Sequence, residues 1–171
     1  MGGLVGPVVL VAFALPPWLL TQTPGLGSPR VRGSSPAIVE AIDQASQRSP
    51  TFNQLVTAVA ATNGIVYVHY GECQRNVRAC LVLTVTQAGP NRILHIRVDS
   101  RRTGHGLMVA IGHELQHALE LLSEPTVVNL DTAHNFYQRV APRRGLSFET
   151  QAAVETGLRI DRELRRWAKS Q

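Results

Sequence analysis

The sequence predicts an α+β fold: an antiparallel-containing sheet followed by a helix that carries H-E-x-x-H and by a C-terminal helix. Three observations carry that prediction. Two runs with helical apolar spacing precede three short β-rich runs, and a long apolar helical run follows the last of these. Strands and helices that are grouped rather than strictly alternating favour an α+β arrangement. With 171 residues, 44% of them hydrophobic, the chain suffices for one core and is short for two, so a single domain is expected over residues 34–171.

Residues 1–33 read differently from the rest. Leu4 to Leu20, LVGPVVLVAFALPPWLL, has no charge, and Pro7, Pro16 and Pro17 make it a poor spanning helix but suit a secretory hydrophobic region. The turn-rich TQTPGLGSPRVRGSSP follows without apolar periodicity. The expectation is a signal-like segment plus flexible linker, and hence an exported protein, periplasmic or secreted. The alternatives are an uncleaved membrane anchor at residues 4–20 or a buried N-terminal segment, and membrane contact is expected only through residues 4–20.

The elements of the domain follow in order. SSPAIVEAIDQASQRS combines a serine cap, an early proline and helical spacing, and a second helix runs from about Thr51 to Ala61, stopped by Asn63-Gly64. Strands are expected at Ile65–Tyr70, Leu81–Thr86 and Arg92–Val98, with QAGPN turning between the last two. In the third, Leu94, Ile96 and Val98 share one face while His95 and Arg97 share the other. If the first two strands pair as a hairpin, Cys73 and Cys80 face each other near the base of its loop, and a disulfide there would suit an oxidising compartment. The other possibility is two free thiols.

GLMVAIGHELQHALELL reads as one helix ended near Pro125. On it, His113 and His117 lie one turn apart on the same face, where both imidazoles can bind one metal ion, and Glu114 sits at the edge of that face. Composition alone would produce H-E-x-x-H on the order of once in a hundred chains of this length. The apolar neighbours Val109, Ile111, Leu115, Ala118, Leu119 and Leu122 imply burial, and buried imidazoles and carboxylates need compensation that a metal provides.

HELQH after the strand ILHIRVD resembles the zincin metallopeptidases, over a stretch from Arg92 to about Asp161. The resemblance implies Zn²⁺ as cofactor, His113 and His117 as ligands, Glu114 as general base, and a peptide or protein as substrate. The metzincin continuation is missing, because Glu120 stands at its glycine position and Ser123 at its third histidine. A gluzincin-like pattern fits better. It takes a glutamate from a later helix, and LSFETQAAVETGL offers Glu149, in the first turn of a helix capped by Ser147 and followed by the small Ala152 and Ala153. The alternative reading of Glu149 is an acidic residue complementing a helix N-terminus. Glu155 is the rival ligand, and Glu120 supports a ligand or lies at the surface. His134 and Tyr137 are candidates for stabilising an oxyanion, or else a surface residue and a packed one.

Charge narrows the partners. Sixteen of the 17 basic residues are arginine, but from Ser34 onward 15 basic face 12 acidic residues, and aromatics are 5%. Such scattered mild basicity with few stacking platforms does not favour a specific nucleic-acid partner. The alternative function is a catalytically silent, zincin-like envelope protein that binds a partner, with or without a structural metal. Oligomeric state is not legible in the sequence.

Overall fold

The computed structural model describes residues 29–73, 77–141, 143–144 and 147–171. The apolar run from Leu4 to Leu20 lies outside the described residues. The end of the expected linker is structured: Val31–Gly33 forms strand β1, with Val31 buried and the Arg32 guanidinium donating to the Tyr67 hydroxyl at 2.8 Å. A three-residue strand has no periodicity to read, and the Pro/Gly-rich stretch before it hides it.

Two capped helices follow. Helix α1, Pro36–Arg48, has Ser35 as N-cap and Pro36 in its first turn, and buries Ile38, Ala41, Ile42 and Ala45 at helical spacing. Ser49 ends α1 and caps α2, Pro50–Ala60, by accepting a hydrogen bond from the Phe52 amide at 3.0 Å. The capping is reinforced from the far end of the chain. Glu163 accepts from the Thr51 amide at 3.0 Å and from the Thr51 hydroxyl at 2.7 Å, and also from the Ser49 hydroxyl.

The sheet contains β2 (Gly64–Tyr70), β3 (Ala79–Ala88) and β4 (Asn91–Val98) beside β1, in the order β1-β2-β4-β3. β1 and β4 run parallel to β2, and only β3 is antiparallel to its neighbour β4. The expected hairpin between the first two runs is therefore corrected, because β4 lies between them. The hairpin is instead β3–β4, turned at QAGPN with Gly89 at φ +58°, a left-handed conformation suited to glycine. Cys73 and Cys80 are nonetheless joined by a disulfide, with Cα atoms 6.0 Å apart. The chain after β2 passes the end of β4, so that the Cys73 sulfur lies 3.7 Å from the Arg97 carbonyl, and Arg97 is the ladder partner of Cys80.

Leu94, Ile96 and Val98 are fully buried, whereas His95 is half-buried and Arg97 exposed, as the alternation predicts. The long helix α3, Gly104–Ser123, presents Ile111, Leu115, Ala118 and Leu122 to this core. Its C-terminus is held by the buried Arg92, which donates to the carbonyls of Leu122 (2.6 Å), Glu124 (2.8 Å), Val127 (3.0 Å) and Leu121 (3.2 Å). Leu121 and Leu122 lie in the last turn of α3, Glu124 is its cap and Val127 belongs to the loop that follows, and one guanidinium gathers all four carbonyls.

Helix α4, Leu130–Val140, was not expected, although its Asn129–Thr132 capping box is a local signal for it. A short pair, β5 (Arg143–Arg144) and β6 (Ser147–Phe148), leads to α5, Gln151–Lys169. The expected Ser147 cap is corrected: Ser147 lies in β6, and Thr150 caps α5 by accepting from the Ala153 amide at 3.1 Å. Among the described residues no helix is long and apolar enough to cross a membrane.

A candidate metal centre in a cleft

Helices α3 and α5 pack closely because both carry a glycine at their contact. A Cβ on Gly112 would stand 2.3 Å from the Ile160 side chain, and one on Gly157 would stand 3.3 Å from His113 Nδ1. The small residues expected to permit the approach were Ala152 and Ala153. Ala153 is buried and does contribute, but Ala152 is exposed. The glycine pair was missed because its two members lie 45 positions apart and only packing matches them.

The approach brings Glu149 to the two histidines. Its Oε1 lies 3.3 Å from His113 Nε2 and 3.4 Å from His117 Nε2, and the three donor atoms fall within 4.8 Å of one another. Glu149 precedes the Thr150 cap, so it belongs to the link between β6 and α5 rather than to the first helical turn. Glu155, the rival, is exposed and accepts from Gln151 at 2.8 Å. A helix that begins beyond Glu149 turns Glu155 outward.

Three features of this group fit a cation. Among the described residues Glu149 Oε1 is buried without a hydrogen-bond partner, an arrangement that is costly unless something else satisfies it. Donor atoms about 2.0 to 2.1 Å from a tetrahedral ion stand roughly 3.3 to 3.4 Å apart, which is the spacing from Glu149 to both imidazoles. His117 Nδ1 meets Glu120 Oε2 at 3.1 Å, a carboxylate that can accept the Nδ1 proton, so Nε2, which faces Glu149, is the nitrogen available to a metal once it gives up its own proton. His113, His117 and Glu149 can thus hold a metal ion.

Glu120 is anchored in turn. The Thr150 hydroxyl donates to its Oε1 at 2.7 Å, linking His117 to the cap of α5. Burial works against protonating His117, but Glu120 and then Glu149 outweigh it and raise its pKa to about 9. Burial likewise raises the Glu149 carboxyl, and the two imidazoles reverse that and bring it to about 2. The site is therefore one where positive charge is favoured, as a proton or as a metal that displaces it.

Glu114 is buried, and its Oε2 accepts from the Leu81 amide at 2.7 Å. Burial pushes its pKa up, with His113 and His117 pulling the other way. Because β3 is an edge strand, this bond fixes Glu114 against the free rim of the sheet. Tyr137 is packed: its hydroxyl donates to the His117 carbonyl at 2.9 Å, and its ring stacks on Phe148 at 5.6 Å. That hydroxyl is committed to the backbone and its pKa is raised by burial, so the oxyanion expectation for Tyr137 is replaced by a role in seating α4 and Phe148 behind Glu149. His134 stands edge-on to Phe148 at 5.3 Å and does not line the cleft.

The cleft itself, of about 1230 Å³, runs along β3 from Tyr137 and Phe148, past His113, His117, Glu114 and Glu149, to His105 and Arg102 near the start of α3. Compared with known proteins, the chain matches no family model, no curated protein and no solved structure.

Proposed function

We propose that the chain is a zinc-dependent metallopeptidase of the gluzincin-like kind, with His113, His117 and Glu149 as ligands and Glu114 as general base. The observation that carries this reading is the coincidence, in one cleft, of three donor atoms within 4.8 Å of one another, with Glu149 at tetrahedral spacing from both imidazoles, and a buried carboxylate next to them on α3. Three protein ligands, two imidazoles and a carboxylate, are the donor set of catalytic zinc sites that keep a position open.

Zinc there would act as a Lewis acid on a substrate carbonyl and lower the pKa of water to about 7. Glu114 takes one proton from the attacking water as its oxygen bonds to the carbonyl carbon, and returns that proton to the amine as the C–N bond breaks. A carboxyl raised by burial is better matched to both transfers than an exposed one, and the Leu81 amide holds it in place. His117 is kept in one tautomer by Glu120, and Phe148 with Tyr137 backs the segment that carries Glu149.

Export to an oxidising compartment belongs to the same proposal. It rests on the Cys73–Cys80 disulfide and the uncharged run from Leu4 to Leu20. One observation favours the rival, a silent partner-binding protein: one oxygen of Glu114 is already committed to the edge strand.

Zinc content and cleavage of a peptide library, measured on four proteins, test the reading. Wild type binds one zinc and cleaves; Glu114→Gln keeps the zinc and loses cleavage by about 10² to 10⁴. Glu149→Ala loses tight zinc, and Glu155→Ala does not. Equal cleavage by wild type and Glu114→Gln removes the peptidase assignment, and zinc retained in Glu149→Ala removes the ligand set.

A further inference from the structure

We infer that the α3 N-terminal end of the cleft is a subsite for a carboxylate, so that the substrate is a peptide carrying an acidic side chain at a set distance from the scissile bond. The inference rests on the peptidase reading for the word substrate, but its geometry stands on other residues.

Arg78, Arg102 and His105 line the cleft at that end. Among the described residues no carboxylate pairs with Arg78 or Arg102, nor with the exposed Arg97 that lines the same cleft, whereas Arg101 and Arg165 are matched. Arg101 is bound to Asp99 at 2.6 Å, and Arg165 to Asp161 at 2.8 Å. Glu72 and Asp161 are the acidic residues lining the cleft here: Glu72 is exposed beside Cys73, and Asp161 is already engaged by Arg165 and His105. Arg102 is half-buried, and it is positioned by an absence: its Nη1 lies where a Cβ on Gly106 would come within 2.9 Å, so the missing side chain lets the guanidinium lie across the first turn of α3. His105 Nε2 is held by Asp161 Oδ1 at 2.6 Å, which directs the ring. The Thr103 cap makes no side-chain hydrogen bond, so the free amides of that turn add to the same positive field.

Distance sets the register. His105 precedes His113 by eight residues, about 12 Å along a helix at 1.5 Å per residue. An extended peptide covers that span in roughly three to four residues. An exposed guanidinium, Arg78, and a half-buried one, Arg102, acting on one carboxylate support a preference of about five- to tenfold, reduced by salt.

The test uses two pools of short capped peptides, random except for one position fixed as Glu in one pool and Gln in the other. Both pools are offered to immobilised Glu114→Gln protein loaded with zinc, and bound peptides are read by mass spectrometry. A parallel digest with wild type locates the fixed position relative to the cut. The expected result is five- to tenfold enrichment of the Glu pool, narrowing as salt rises, with the fixed residue three or four positions from the cut. The enrichment disappears when Arg78→Gln and Arg102→Gln are added, with folding checked by circular dichroism and zinc content.

Enrichment below twofold, enrichment that survives both arginine substitutions, or no retention of either pool overturns the subsite. Because retention is read without turnover, selective binding with no cutting by wild type sinks the peptidase reading and leaves the subsite standing. Cutting without charge preference does the reverse.

Discussion

Replacing Glu120 by alanine should weaken metal binding by about ten- to a hundredfold without touching a ligand. Glu120 meets His117 Nδ1 at 3.1 Å and is itself held by Thr150 at 2.7 Å. A hydrogen bond to a charged partner is worth about 1.5 to 3 kcal/mol net, which converts to roughly 10 to 100 in a binding constant. The same range is typical of carboxylates that orient a metal-bound histidine. A complication has a definite sign. Glu120 also helps raise His117 to about 9, so at neutral pH its loss weakens proton competition and offsets part of the effect. The assay is therefore a competition titration against a chelator of known zinc affinity, run above about pH 9, where His117 has already lost that proton. Glu120→Gln should fall between wild type and Glu120→Ala, because an amide oxygen still accepts from Nδ1 but carries no charge. Zinc affinity of Glu120→Ala within twofold of wild type under those conditions would refute the role given to Glu120.

Three further outcomes follow from the fold. Arg92→Met should destabilise the domain by roughly 3 to 5 kcal/mol in chemical denaturation, because it strands the carbonyls at the end of α3; a loss under 1 kcal/mol would contradict that account. Burial raises the Glu163 carboxyl, but the Ser49 and Thr51 donors outweigh it and leave its folded pKa below 4.5. Its contribution is thus complete above about pH 4.5 and fades as pH falls through the folded value, so Glu163→Gln should flatten the acid limb of the stability curve, and an unchanged limb would count against it. Wild type should show no titratable thiol when purified without reductant, and the Cys73→Ser/Cys80→Ser double variant should lose about 2 to 3 kcal/mol by loop entropy; two reactive thiols in the native protein would end the assignment.

Much of the site was legible along the chain because helical periodicity is local. His113 and His117 lie on one face of α3 by virtue of a four-residue spacing, and Glu114 follows from its place beside them. The same holds for β4, where alternation alone sends Leu94, Ile96 and Val98 inward. Glu149 is legible through resemblance together with local signals that Glu155 lacks, the Ser147 cap and the small Ala152 and Ala153, and those signals misplace the helix start. The choice is made by where α5 begins, and Thr150 rather than Ser147 makes that start.

Other features were decided by tertiary structure alone. Alternation says which face a strand buries but not which strand lies beside it, so the insertion of β4 between β2 and β3 was invisible in sequence and the cysteines were joined by a different route from the one expected. The Gly112 and Gly157 contact, the His117–Glu120–Thr150 chain and the placing of Arg78 and Arg102 at one end of the cleft join residues far apart in the chain. Local sequence determines the direction in which each of these side chains points. What it meets there depends on the packing of separate elements, whose relative positions no local pattern encodes.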